Sequence, residues 1–430
     1  MRILHTSDWH LGRTLHGQDL HAYQQVFHDF LVDLVREREV DVVVIPGDVY
    51  DRAVPSVEAV RLLGATLARL AEITTVVLTP GNHDSATRLG FGAALMRAGV
   101  HILADLPGLD HPVAVPDEHG DVLFFGLPYL EPDIARVQLA GEDGQSLARS
   151  HEAVTAAALD RVRRRIGGRA GEGPRPRSVV LAHTFVTGGE GSDSERDLTV
   201  GGVDSVPAGL FHGIDYVALG HLHGCQDLTS RVRADVARRA GGGAGTGSEP
   251  DAAIEPTVAT EPASAAEPSA AIEPTAWYSG SPLAFSFSER TQRKSVLLVE
   301  LGAPGDVAVE RIATPVPRRL TELRGPLEEI LARADEHGQD WLKVTVTDAA
   351  RPAHLQERLR AAYPHLLHTT FEPEGRERDE ATPQVRPGAH PLEVMDDFLA
   401  FVTKAAPTPQ EHAVLETAYQ HVRTARQEAS

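Results

Sequence analysis

An α/β fold, with β-sheets flanked by helices, is what this 430-residue sequence predicts. Two short runs, Val42-Val43-Val44-Ile45 and Thr75-Val76-Val77-Leu78, have the unbroken apolar, β-branched character of strands buried on both faces. Around them, apolar residues recur at three- and four-residue spacing, so strand and helix alternate as in parallel sheets. Polar residues of one chemical kind also recur just past the strand ends, where open α/β sheets gather their ligands.

Ile3-Leu4-His5 opens the chain as a strand, residues 19–39 form the first helix, and Pro55 and Ser56 start a second that runs to 72. Further strands are expected at 122–126, 179–183, 216–219, 277–279 and 296–301, with a helix at 147–166. Residues 1–304 read as one core, interrupted at about 231–276. There a glycine tract precedes Glu-Pro pairs starting at 249, 255, 261, 267 and 273. So little large apolar surface cannot offset chain ordering, and a disordered loop insertion is expected. Residues 305–380 read as a small α+β capping domain, with helices at 325–336 and 352–362 and strands at 341–346 and 366–371. A polar stretch at 372–387 leads to a C-terminal helical pair, 391–403 and 408–425, within the segment 388–430. Leu392, Met395, Leu399 and Val402 share one face of the first helix, and Leu415, Tyr419 and Val422 one face of the second.

Composition bounds the function. With 41 Lys+Arg against 61 Asp+Glu the formal charge is −20, which argues against tight nucleic-acid capture by the bare surface. No apolar run reaches the roughly 18 residues of a membrane span. Met1 leads straight into a strand and Cys225 is the single cysteine, so no signal peptide or disulfide is expected and the setting is cytoplasmic. Arg161, Arg163, Arg164, Arg165, Arg169, Arg175 and Arg177 concentrate positive charge. A solvated helix end is the plainer reading of that run, and a phosphate-contacting patch the functional one.

The chemistry sits at the strand ends. Asp8 and His10 follow the first strand as Ser-Asp-Trp-His, Asp48 follows the second as Pro-Gly-Asp-Val, and Asn82, His83 and Asp84 follow the third as Gly-Asn-His-Asp. His183 ends the strand at 179–183, and His221 and His223 end another as Gly-His-Leu-His. Each motif alone is common in ordinary turns; in this order, each at a strand end, they read as one metal site. Carboxylates, an amide oxygen and imidazoles suit a borderline-hard divalent ion such as Mn²⁺ or Fe²⁺. Asp48 can bridge two such ions about 3.5–4 Å apart, a pair that clamps the attacking and leaving oxygens of a phosphoester displacement.

These motifs resemble those of the calcineurin-like metallophosphoesterase superfamily. The opening Arg2-Ile3-Leu4-His5-Thr6-Ser7-Asp8-Trp9-His10-Leu11-Gly12, with Gly47-Asp48-Val49-Tyr50-Asp51 and Ser279-Gly280-Ser281-Pro282, is narrower. It resembles the SbcD family of bacterial DNA-repair nuclease subunits over most of 1–300. The resemblance implies two divalent ions, Mn²⁺ first among candidates, one held by Asp8, His10, Asp48 and His223 and the other by Asp48, Asn82, His183 and His221. It gives His83 the scissile phosphate and leaving oxygen, with Asp84 orienting its ring. It also implies DNA as substrate, cut 3′→5′ from duplex ends and internally on single strands. The implied partner is an SbcC-type ATPase, docked on the helical pair in a heterotetramer with two nuclease subunits, the capping domain meeting DNA.

Gly47-Asp48-Val49-Tyr50-Asp51-Arg52 also resembles the Gly-Asp-x-x-Asp-Arg-Gly motif of Ser/Thr protein phosphatases, but Ala53 replaces the final glycine and Asp84 stands where those enzymes carry Glu. A small phosphodiesterase is a further alternative. A non-catalytic scaffold for the ATPase would need a broken ligand set, and every expected ligand is present. Cys225, two residues past His223, is read as a packing residue.

Overall fold

The computed structural model describes residues 1–96, 99–141, 144–169, 175–195, 205–241, 272–374, 391–403 and 406–428. Two six-stranded sheets form the core. The first runs in the order Val307–Ala313, Ser295–Leu301, Arg2–His5, Val42–Pro46, Thr75–Thr79, Val100–Ile102. The second runs Gln226–Asp227, Thr275–Tyr278, Tyr216–Gly220, Arg177–His183, Gly120–Leu127, Val113–Asp117. Central pairings are parallel, with Leu4 beside Val43, Val43 beside Val76, and Leu181 beside Ala218.

The run at 42–45 is wholly apolar because both its faces are buried. Val42 and Val44 join Ile3, Val77, Phe124, Val179 and Leu181 between the sheets. Val43 and Ile45 face the other way, against Leu31, Val35, Leu63 and Leu67 of the helices His21–Glu37 and Val57–Leu70. Behind the second sheet, Val154, Leu159 and Val162 of the helix His151–Arg169 cover Val180, Val217 and Leu219. The result is four layers, helix–sheet–sheet–helix, with strand carboxyl ends from both sheets meeting at one edge.

Some expectations shift. Val307–Ala313 pairs antiparallel with Ser295–Leu301, so the core sheet extends past 304. As an edge strand with alternating exposure it leaves little apolar signal. Residues 231–241 are not part of a disordered insertion: Thr229–Gly241 is a helix, anchored by buried Val232 and by Val236 against the cluster behind the second sheet. A strand begins at Thr275. The part of the expected insertion at 242–271 lies outside the described residues, as do 375–387 of the polar stretch and 388–390 at the start of the C-terminal segment. The expected helix at 325–336 is broken into Leu327–Leu331 and Ala334–His337.

The smaller unit is a parallel three-stranded sheet, Leu320–Gly325, Trp341–Val346 and Leu366–Phe371, with its own core of Leu323, Ile330, Leu342, Val344, Leu359 and Tyr363. It meets the first domain through Trp341, edge-on to Tyr23 at 5.1 Å and clustered with Leu15, Leu20, Leu283 and Phe285. Three arginines of the run are committed to ion pairs. Arg177 is buried against Asp117, Arg175 pairs with Asp215 at 2.9 Å, and Arg163 pairs with Asp160 at 2.6 Å. Arg164 and Arg165 are exposed, which favours the solvated-helix reading.

His28 gives the core an acid-sensitive point. It is buried edge-on to Trp9 at 4.5 Å, and neither ring nitrogen has a hydrogen-bond partner. Burial holds its pKa at about 3 against an ordinary 6.5, so the unfolded chain binds the proton more tightly. Its contribution to stability is therefore full above pH 6.5 and declines as pH falls towards 3, by about 2 kcal/mol at pH 5. In thermal denaturation of metal-free protein, His28→Leu is expected to show a smaller loss of melting temperature between pH 7.5 and 5 than the parent chain.

Candidate metal centre

Beyond the strands Arg2–His5 and Val42–Pro46 the two segments keep pairing. Asp8 N–H donates to the Gly47 carbonyl at 3.2 Å, His10 to that of Asp48 at 3.0 Å, and Leu11 to that of Val49 at 2.9 Å. This ladder holds Asp8, His10 and Asp48 at φ of 54°, 44° and 49°, and His221 has φ 108°. Non-glycine residues in that region cost about 1–3 kcal/mol each and persist where the surroundings impose them. Close approach depends on glycine: a Cβ at Gly81 would overlap the Asp48 carboxylate, and one at Gly47 the His183 ring.

The structure brings all seven expected ligands together. Donor atoms of Asp8, His10 and His223 lie within 4.8 Å of one another, as do those of Asp8, Asp48 and His183, and those of His10, Asp48 and His83. The Nε2 atoms of His10 and His223 are 3.0 Å apart. His183 Nε2 lies 2.9 Å from Asn82 Oδ1 and 3.4 Å from Asp48 Oδ2. His221 stacks edge-on to His183 at 5.3 Å, and its backbone N–H donates to Asp8 Oδ1 at 3.0 Å. All but Asn82, which is half-buried, are buried.

This donor set fits cations. His183 Nδ1 faces the Pro46 carbonyl at 3.0 Å, an acceptor only, so Nδ1 carries the ring proton. Its Nε2 then points a lone pair at two further acceptors, Asn82 Oδ1 and Asp48 Oδ2. Such an arrangement needs a second proton or a metal ion in its midst. Burial pushes the Asp8 carboxyl up to about 6 in spite of His183 and His223. Burial acts on Asp48 in the same sense, but His183, then His10 and His83, reverse it and hold Asp48 well below the ordinary value. Burial is likewise overcome at His183, which Asp48 and Asp8 lift to about 9, whereas burial keeps His10 at about 3. The carboxylates draw positive charge inward, and divalent ions supply it without a proton.

His83 and Asp84 divide their work differently from expectation. His83 Nδ1 faces the Asp51 carbonyl at 2.8 Å, so the backbone rather than Asp84 orients this ring, and Nε2 turns towards Asp48 at 3.9 Å. The Asp84 carboxylate instead accepts the N–H groups of Val49 at 3.0 Å, Tyr50 at 2.9 Å and Gly81 at 2.9 Å, stapling the second motif to the third. Burial and then the charge of Asp48 push its carboxyl up to about 7 against those bonds. Asp84→Ala strands three N–H donors and is expected to lower stability by about 2–4 kcal/mol, read by urea denaturation.

Sequence reasoning missed a layer behind the ligands. Ser7 donates to Asp8, Glu195 accepts the His223 backbone N–H at 2.8 Å, and Ser194, Glu289 and Lys294 gather behind the His223 ring. Arg13 lies 5.0 Å over the Phe285 ring and pairs with Asp51 at 3.3 Å. The nearest sequence signal was a charged pair, Glu289 and Lys294, close after Ser279-Gly280-Ser281-Pro282.

The fold agrees with comparison to known proteins. A family model described as calcineurin-like phosphoesterase matches residues 1–225, and the chain belongs to that family. A second, described as the Type 5 capsule protein repressor C-terminal domain, matches residues 316–403. Together the two matches give the organisation of an SbcD-type protein, the resemblance its opening motifs carry. Among solved structures, TT1561 of Thermus thermophilus is similar at 14% identity, with 72% of this chain and 98% of that one covered and a TM-score of 0.35. The chain is thus a metallophosphoesterase whose Asp and His clusters are compatible with a dinuclear metal site. Among the described residues, no helix is long and apolar enough to cross a membrane.

Proposed function

We propose that this chain is the nuclease subunit of a DNA end-processing machine, cutting phosphodiesters with two Mn²⁺ ions and working with an SbcC-type ATPase in repair and recombination. The observation that carries this reading is the convergence of buried Asp8, His10, Asp48, His83, His183 and His223 in three overlapping donor groups, in a chain that also carries the SbcD-type C-terminal domain. Asp8, His10, Asp48 and His223 would hold one ion, and Asp48, Asn82, His183 and His221 the other. When bound, the pair supplies Lewis-acid stabilisation of the phosphodiester oxygens and activates water.

The protein's own groups do the rest. With Nδ1 committed to the Asp51 carbonyl, His83 offers Nε2 to a phosphate oxygen and can pass a proton to the leaving group. Arg13 and the exposed Arg52 flank Asp51 with positive charge for neighbouring phosphates. The capping domain, seated through Trp341 on the same apolar cluster as Phe285, would guide DNA to the cleft. The helices Pro391–Thr403 and Pro409–Glu428 are tied by His412 and Asp396 at 2.7 Å and leave Phe398 and Val414 65% and 68% exposed. That uncovered apolar surface suits helix-in-groove docking on a coiled coil.

Purified chain, with Mn²⁺ or with chelator, is to be incubated with linear duplex and with circular single-stranded DNA. The expected result is shortening of the duplex from its 3′ ends and nicking of the circle, both abolished by chelator. Binding of two Mn²⁺ ions with both DNAs left intact would overturn the reading. Without metal or partner, DNA binding should be weak and steeply salt-dependent.

A further inference from the structure

Behind His223 lies a buried ion pair that neither packing nor the ligand set requires. Glu289, 1% exposed, ends the short turn Phe287–Glu289, and Lys294, 4% exposed, precedes the strand Ser295–Leu301. Lys294 Nζ lies within hydrogen-bond distance of the Glu289 carboxylate, of the His223 carbonyl at 2.9 Å, of Ser281 Oγ at 2.9 Å and of Gln292 Oε1 at 2.8 Å, four acceptors for its three protons. Desolvating two charges costs several kcal/mol per ion, and well-packed apolar residues often serve a fold equally well. An acceptor-only group is therefore held at this place for a reason.

The hydrogen-bond accounting supplies one. Glu289 Oε1 lies 3.4 Å from His223 Nδ1, and accepts from the Phe285 backbone N–H at 3.3 Å and from Ser194 Oγ. Ser194 Oγ is itself 2.6 Å from His223 Nδ1. A serine hydroxyl has a single proton, and beside an ionised carboxylate that proton goes to the carboxylate. The lone pairs of Ser194 then face Nδ1, so the ring must donate there. Nδ1 carries the proton, and Nε2, 3.0 Å from His10 Nε2, keeps its lone pair aimed into the cluster.

We propose that Glu289, fixed by Lys294 and acting through Ser194, is a positioning residue that sets the tautomer and direction of the His223 ring, and with it the affinity for one of the two divalent ions. The inference rests on reading the cluster as a metal centre, and is independent of which phosphoester is cleaved. Partners of this kind typically change metal affinity by about 10–100-fold when lost.

The test is a Mn²⁺ titration of the full chain, free Mn²⁺ being followed by electron paramagnetic resonance. Because Glu289→Gln alone leaves Lys294 buried without its counter-charge, the variant is Glu289→Gln with Lys294→Met. It is expected to melt within a few degrees of the parent, and to bind one Mn²⁺ as the parent does and the other about 10–100-fold more weakly. Ser194→Ala should weaken the same ion, and Ser194→Thr, which keeps the hydroxyl, should restore it. If the double variant fails to fold, the two Ser194 variants decide. Parent affinity for both ions in Ser194→Ala, or in a folded double variant, overturns the proposal. Since cleavage is not read, a failure of the nuclease reading leaves this result standing.

Discussion

Replacing His83 by alanine is expected to lower Mn²⁺-dependent DNA cleavage by about 10²–10⁴-fold, the range of a lost general acid or base, while two Mn²⁺ ions still bind. The geometry separates the two properties. His83 Nδ1 is committed to the Asp51 carbonyl, and its Nε2 lies 3.9 Å from Asp48 Oδ2, more distant than His183 Nε2 at 3.4 Å. The His183 and His223 rings are held by contacts that do not involve this ring, at the Pro46 carbonyl and Ser194, and the His221 backbone N–H by Asp8. His10 packs edge-on to the His83 ring at 4.6 Å but also lies beside Arg13 and Asp51. Removing the ring would thus delete the group proposed to face the phosphate, while the other donors keep these contacts. Titration of Mn²⁺ alongside single-turnover cleavage checks both halves. Loss of one ion together with activity would place His83 among the ligands, as its grouping with His10 and Asp48 allows.

Asp48→Asn should act at the opposite end, on the metals themselves. Its carboxylate belongs to two of the three donor groups, those with Asp8 and His183 and with His10 and His83. It also accepts the His83 backbone N–H at 2.9 Å, a contact that the asparagine oxygen retains. Losing the charge removes the foremost partner that lifts the His183 pKa to about 9, and one anion that draws cations into a buried pocket. The expected outcome is a fall of about 100-fold or more in affinity for both Mn²⁺ ions, with cleavage abolished at ordinary metal concentrations. Metal-free protein should keep its circular dichroism spectrum, since the backbone contact survives. Weakening of a single ion would show that Asp48 does not bridge.

Legibility followed physical rules. The strands at 42–45 and 75–78 stand out because burial on both faces makes every residue apolar, so no period is needed to find them. The positions of Asp8, Asp48, Asn82 and His183 could be anticipated, because a strand that ends in a tight, glycine-assisted turn delivers its next polar residue to the sheet edge. Edge strands were harder: Val307–Ala313 and Val113–Asp117 alternate partial and full exposure and carry charged or proline residues. The helix Thr229–Gly241 was obscured by the glycine and Glu-Pro tract that follows it. The layer behind the ligands was invisible for a different reason. Glu289 and Lys294 reach His223 only because the segment after Tyr278 returns across the site, and Ser194 only because the loop after His183 does; no spacing within the sequence encodes either return. The partner of His83 was out of view likewise: Gly-Asn-His-Asp suggests Asp84, whereas the ring faces the Asp51 carbonyl and Asp84 accepts from backbone N–H groups.

Under the proposed function the site serves DNA phosphodiesters rather than phosphoprotein monoesters. The most direct measurement presents Mn²⁺-loaded chain, in parallel, with end-labelled linear duplex, circular single-stranded DNA and a phosphoserine peptide, and reads DNA products and free phosphate. Cleavage of both DNAs with negligible phosphate release is the predicted result; phosphate release from the peptide, with both DNAs intact, would contradict it.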